Sequence, residues 1–179
     1  MARKTVWWII AILAGVIILT QRIIAGDIKA ALSNKNVQAF LAVIRTFESA
    51  GYYDVVYGGQ HFTDFSNHPH IRVPFTDPRN GQQNFSTAAG AYQITYPTWV
   101  TIQAVAFLPD FSPASQDEAA IWLLKLRGAL PYVIEGDFDN AIRVASGTWA
   151  SLPFSTSKQH KVSLALAQQV YRDNEGKIA

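Results

Sequence analysis

The stretch Val37-Gln38-Ala39-Phe40-Leu41-Ala42-Val43-Ile44-Arg45-Thr46-Phe47-Glu48-Ser49 decides the fold. Val37, Leu41 and Ile44 recur at helical spacing and predict an apolar stripe that faces a core. Glu48 is the next residue on that stripe, so a carboxylate stands where an apolar side chain is expected. Gly51 is expected to end the helix. A carboxyl on an apolar stripe loses hydration, which raises its pKa. It then keeps its proton near neutral pH, as a general acid must. The competing reading is that Glu48 curls out to solvent at a frayed helix end.

Working outward, the composition bounds the answer. A chain of 179 residues has room for one domain with a real core, and 49% hydrophobic with 16% charged residues is a globular balance. The net charge of +2, with no clustered Lys and Arg, argues against a nucleic-acid partner. Without cysteine there is no disulfide framework, no thiolate metal site and no Cys nucleophile. The four histidines, His61, His68, His70 and His160, make no metal motif. His68 and His70 straddle Pro69, which favours an extended or turn backbone, and no metal or cofactor is expected.

Residues 5–20 form an almost wholly apolar run that Gln21 and Arg22 interrupt and Ile23, Ile24 and Ala25 resume. Counted through Ala25 the run reaches the ~20 residues of a bilayer span, with Arg22 able to snorkel at its far end. Arg3 and Lys4 precede it, placing the N-terminus in the cytoplasm and the remainder outside. A cleaved signal peptide is disfavoured, because Ile23 and Ile24 occupy positions that should be small. The expected organisation is a signal-anchor over 1–25, a connector over 26–36 and a catalytic domain over 37–179. Interruption by Gln21-Arg22, with Gly15, Ala11 and Ala14 inside the run, makes the span marginal enough to leave a bilayer.

Within the domain, Ser33 or Asn34 offers an N-cap for the first long helix. Two β-prone runs, 52–57 and 60–65, flank Gly58-Gly59 and read as a β hairpin. Residues 66–86 read as a long loop with one more strand at 71–75. The rest reads helical. Pro97 is placed as the first residue of a helix covering 99–106. Ser112-Pro113 starts another, which Gly128 stops. Pro131 and Gly136 bracket a short one, and Asp137 caps 138–145. Ser155 to Ser157 cap a last helix over 158–172, with Val162, Leu166 and Val170 on its inner face. The fold class is α+β, mostly helical with a small antiparallel hairpin.

A helix ending in a carboxyl, then a small hairpin, then helices is the order of lysozyme-like glycosidases. Seven stretches carry a closer likeness. They are Glu48-Ser49; Tyr53-Asp54-Val55; Gly58-Gly59 with Phe62-Thr63-Asp64-Phe65-Ser66-Asn67-His68-Pro69; Ser86-Thr87-Ala88-Ala89-Gly90-Ala91-Tyr92-Gln93-Ile94; Phe111-Ser112-Pro113-Ala114-Ser115-Gln116-Asp117; Arg127-Gly128-Ala129-Leu130-Pro131; and Thr148-Trp149-Ala150-Ser151-Leu152-Pro153. By these, residues 40–171 resemble the lambda-type phage endolysins, which are peptidoglycan lytic transglycosylases of lysozyme-like fold. The interval from Glu48 to Tyr53 is shorter than in the lambda enzyme. The apolar N-terminal segment has no counterpart there and looks like the signal-anchor-release segment of other phage endolysins.

The resemblance implies that Glu48 is the catalytic acid, protonating the bond between N-acetylmuramic acid and N-acetylglucosamine. Ser49, Tyr57, Thr63, Asp64, Tyr92 and Gln93 are the implied glycan-binding residues. Trp99 and Trp149 read as core. A hydrolase needs a second carboxylate, for which Asp54 and Asp64 are the candidates; a transglycosylase does not. The expectation is thus a monomeric endolysin, without cofactor, acting on peptidoglycan glycan strands. It would be held at the host inner membrane by its N-terminal segment, face the periplasm and later be released into it. The rivals are a hydrolytic muramidase, a non-catalytic peptidoglycan-binding envelope protein, and a virion-associated lysin.

Overall fold

The structure, a computed structural model, describes residues 26–78, 80–158 and 161–179. The expected membrane segment over 1–25 and His160 lie outside the described residues. No helix among the described residues is long and apolar enough to cross a membrane.

Helix α2 (Lys35–Ser49) is the centre of the molecule. Asn34 caps it, accepting from the backbone N–H groups of Asn36 and Val37 at 2.9 and 3.2 Å. Burial goes beyond one stripe: Val37, Ala39, Phe40, Leu41, Val43 and Ile44 are all fully buried. Helices α5 (Leu130–Glu135) and α7 (Leu164–Asp173) pack against it. Phe40 meets Phe138 and Tyr171 edge-on, with ring centroids 5.8 and 6.5 Å away, the arrangement aromatic quadrupoles favour. At the far end Ala50 already takes the left-handed conformation (φ 54°) that Gly51 was expected to supply, and Gly51 (φ 87°) continues the turn.

The stretch read as a connector is largely helical. Helix α1 covers 26–32 among the described residues, and its Ile28 and Ala31 point into the core. Their i, i+3 spacing is the physical reason, since it makes one helical face apolar.

Downstream the helices follow their punctuation. Helix α3 (Tyr96–Ala106) has Pro97 in its first turn, and α4 (Pro113–Arg127) starts at Ser112 and stops at left-handed Gly128. The short α5 stops at Gly136, and Asp137 caps α6 (Phe138–Ala145). The last helix differs. Ser163 caps α7, accepting from the Leu166 N–H at 3.2 Å, so the helix begins at Leu164 rather than Lys158. Ala167 and Tyr171 are its buried face and the expected Val170 packs against the core, while Leu166 is exposed.

The hairpin also lies elsewhere than expected. The one sheet among the described residues pairs β1 (Val73–Thr76) with β2 (Gln83–Ser86), antiparallel, with Val73 opposite Ser86 and Thr76 opposite Gln83. Residues 52–65 instead make isolated bridges, Val55 with His61 and Val56 with Ala89. Val55 and Val56 are both buried, so this segment lacks the in–out alternation of a half-buried strand. Its backbone is shared between two neighbours: Val56 N–H donates to Gln60 O, and Tyr57 N–H to Ala88 O, each at 2.8 Å. The expected class, mostly helical α+β with a small antiparallel sheet, is borne out.

Candidate active site

Glu48 sits in the last turn of α2, on the stripe that begins at Val37. It lines a cleft of about 560 Å³. One wall is the hairpin side, with Tyr57, Phe75, Ser86 and Ala88; another is the 92–95 turn; the third is the loop 148–151. Burial raises the Glu48 pKa above the ordinary carboxylate value. Ser151 opposes this, because its hydroxyl donates to Glu48 Oε1 at 2.6 Å and its backbone N–H approaches the same oxygen at 3.3 Å. The burial effect is the larger, so the group is biased toward its protonated form without losing the means to hold a charge.

The loop carrying Ser151 is itself fixed. Arg127, at the end of α4, donates through Nε to Thr148 Oγ1 at 3.0 Å and through Nη2 to Gly147 O at 3.1 Å. Trp149 donates its indole N–H to Tyr92 O at 3.1 Å. Trp149 is therefore both core, as expected, and part of the cleft wall.

The Gly90 turn shapes the opposite wall. Gly90 has φ 75°, and a Cβ there would run into the Gln116 amide. That amide accepts from the Ala91 N–H at 2.8 Å and donates to Tyr53 O and Phe111 O at 3.0 and 2.8 Å. Gln93 follows at φ 46°, with Nε2 3.1 Å from Gly90 O and 3.3 Å from Val55 O. The amide expected to donate to a sugar is thus committed to the backbone.

Of the residues singled out in the sequence, Glu48, Tyr57, Tyr92 and Gln93 converge on the cleft. Ser49, Thr63 and Asp64 are not among its lining residues. Ser49 is buried, and its hydroxyl back-bonds to Arg45 O at 3.1 Å. Thr63 and Asp64 are exposed, and Asp64 is a turn residue whose carboxyl is held below the ordinary range by the Ser66 hydroxyl first and then by the Ser66 N–H, which donates at 2.8 Å. Asp54 pairs with exposed His61 at 3.0 Å. His68 has both ring nitrogens engaged, Nε2 with Ile94 O at 2.9 Å and Nδ1 with the His70 N–H at 3.1 Å.

A family model described as Endolysin matches residues 38–178. The chain belongs to the endolysin family. Among relatives of this endolysin, that of Escherichia phage lambda is 41% identical over 118 residues, covering 65% of this chain and 72% of the relative. The endolysin of Escherichia phage P2 is 36% identical over 159 residues, covering 80% and 95%. A solved structure of bacteriophage lambda lysozyme complexed with a chitohexasaccharide matches with a TM-score of 0.73 at 33% identity, over 82% of this chain and 97% of that one. A second lambda lysozyme structure matches with a TM-score of 0.68. The lysozyme-like architecture expected for this endolysin is therefore the one it has.

Sequence reasoning missed Ser151 as a partner of Glu48, although Thr148 to Pro153 stood among the matching stretches. The two residues are 103 positions apart, and no local pattern connects them. Asp117 and Arg45, described below, were missed for the same reason.

Proposed function

We propose that this endolysin cleaves the β-1,4 bond between N-acetylmuramic acid and N-acetylglucosamine in peptidoglycan, by lytic transglycosylation with Glu48 as acid and then base. The observation that carries the reading is the isolation of that carboxyl. Among the described residues lining the cleft, Glu48 is the one carboxylate. Asp54 and Asp64, the expected alternatives, are engaged elsewhere by His61 and the Ser66 turn. A hydrolase uses a second carboxylate as nucleophile or as base for water.

The chemistry balances without that partner. Protonated Glu48 gives its proton to the glycosidic oxygen as the bond to C1 breaks, so the leaving strand departs with a free hydroxyl. The Glu48 carboxylate, held through Oε1 by Ser151, then removes the proton from the C6 hydroxyl of the muramic acid. O6 bonds to C1 and closes a 1,6-anhydro ring, which returns the proton to Glu48. The nucleophile is already part of the bound sugar, so effective molarity replaces an activated water. Mass spectrometry of digested peptidoglycan tests this. Muramic ends lighter by one water than the hydrolytic product are expected; reducing ends throughout would make the protein a muramidase. Glu48→Gln is expected to abolish lysis of exposed walls while sparing wall binding; lysis that persists would mean that Glu48 is not the acid, and a wild type that binds walls without cutting them would favour the non-catalytic binding reading.

We also propose that residues 1–25 hold the protein at the inner membrane, facing the periplasm, until release. The basis is the apolar run after Arg3 and Lys4. Fractionation checks it: membrane-bound protein that moves to the soluble fraction after an uncoupler is expected, and protein that stays in the pellet would argue for a permanent anchor.

A further inference from the structure

Two separate supports reach Glu48. One is its own helix, and the other is the 148–151 loop that brings Ser151. A single residue touches both. The phenol oxygen of Tyr92 accepts from Arg45 Nη1 at 3.0 Å, and Arg45 stands one helical turn before Glu48 on α2. The backbone carbonyl of Tyr92 accepts from Trp149, two residues before Ser151. Tyr92 in turn is held from behind: its hydroxyl donates to Asp117 Oδ1 on α4. That oxygen also accepts from Tyr53 OH at 2.7 Å and lies 3.7 Å from Arg45 Nη1.

The cluster is built as a unit. A cation, an anion and two phenols are removed from most of the solvent, with Tyr92 itself 1% exposed. Burial, with Asp117 adding to it, pushes the Tyr53 phenol up to about 12 and raises that of Tyr92 well above its ordinary value, so both stay donors. Gln116, next to Asp117, grips the same 90–92 turn and the Tyr53 carbonyl. Apolar residues of similar volume would fill this space at equal or better stability. What apolar residues cannot do is fix direction. Charge-assisted bonds have narrow geometry, and a group that must donate a proton and then retrieve one tolerates little displacement.

We propose that Arg45 and Asp117, acting through Tyr92, are positioning residues that set the catalytic helix in register with the Ser151 loop. None of the three needs to touch the reacting atoms for this. Tyr92 carries the link, and the charged pair prevents its ring from rotating or sliding along the cleft floor. The inference rests on Glu48 being the acid.

The test uses the full chain and steady-state kinetics on purified glycan strands, with melting temperatures measured in parallel. Tyr92→Phe keeps the ring and the carbonyl but removes the hydroxyl. It is expected to lower kcat about tenfold or more with KM unchanged. The double variant Arg45→Met, Asp117→Leu removes both charges together and guards against the single change failing to fold. It is expected to melt near the wild type yet to show the same loss of kcat. Wild-type kcat in a folded Tyr92→Phe, or recovery of kcat together with stability in the double variant, would overturn the proposal. Glu48→Gln run alongside separates the two levels: an active Glu48→Gln removes the acid itself, whereas an inactive one with fully active cluster variants removes only this inference.

Discussion

Replacing Ser151 by alanine isolates one bond to Glu48. The change deletes the hydroxyl that donates at 2.6 Å and leaves the backbone N–H at 3.3 Å in place. A hydrogen bond to a charged group contributes ~1.5–3 kcal/mol and one to a neutral group ~0.5–1.5. Only the difference, roughly 1–1.5 kcal/mol, favours the ionised form of Glu48 over the protonated one. Charge builds on Glu48 as its proton leaves, so the same difference is lost from the transition state. The expected loss in kcat is about five- to tenfold. The pH profile carries the sign. On the proposed route protonated Glu48 starts the cycle, so activity is expected to fall as pH rises through its pKa. The wild-type value already lies above the ordinary one because of burial, and Ser151 holds it down. Removing Ser151 must therefore move the alkaline limb to higher pH while lowering the plateau. Release of soluble glycan from purified walls across a pH series measures both. An unchanged kcat, or a limb displaced to lower pH, would refute the account of Ser151 as the stabiliser of the carboxylate.

Other changes have equally definite outcomes. Glu48→Gln should melt higher than the wild type at neutral pH, because the raised pKa means that ionised Glu48 opposes folding there, and calorimetry reads the gain. That gain should shrink as pH falls through the ordinary carboxylate range, where Glu48 is neutral folded or unfolded. Phe40→Ala should cost ~3–5 kcal/mol in urea unfolding, since it removes a ring packed between Phe138 and Tyr171. Gly90→Ala should lower both stability and kcat, because the new methyl displaces the Gln116 amide from the turn. Asp54→Asn and Asp64→Asn should each retain the wild-type kcat in the same wall-release assay; inactivation by either would point to a hydrolytic partner for Glu48.

What the sequence revealed and what it hid divide along a physical line. Local chemistry was legible. Asn34, Ser112 and Asp137 cap helices where their side chains predict, and Gly128 and Gly136 stop them. Glu48 stood out because periodicity reports burial, and burial is what alters its acidity. Features that depend on competition between distant segments were not legible. Residues 52–65 have the composition of a hairpin, but they keep only one antiparallel bridge of their own, Val55 with His61, and share the rest of the Val55–Tyr57 backbone with 88–90. The hairpin that forms lies in a stretch rich in Pro, Asn and Gln, because Pro74 is tolerated where both strands are edges. Ser163 outcompetes Ser155 to Ser157 as a cap, since a Ser–Thr–Ser run gives no hint of which serine a helix will follow. The site divides the same way. The carboxyl was visible on its own helix, while Ser151, Arg45 and Asp117 acquire their roles only through contacts made across the chain.

Both donors of Ser151 fall on one oxygen of Glu48, Oε1. If Glu48 is the acid, as proposed, Oε2 is the oxygen left to meet the substrate. On the proposed route two hydroxyl-bearing groups need that oxygen in turn: the strand end being released, and the C6 arm that closes the ring. They cannot share it, so the reaction has an internal queue. The severed strand must step back before the ring can form. Crowding by freshly cut chain ends would then stall the enzyme in mid-cycle, at a point where ordinary competition for an empty cleft plays no part.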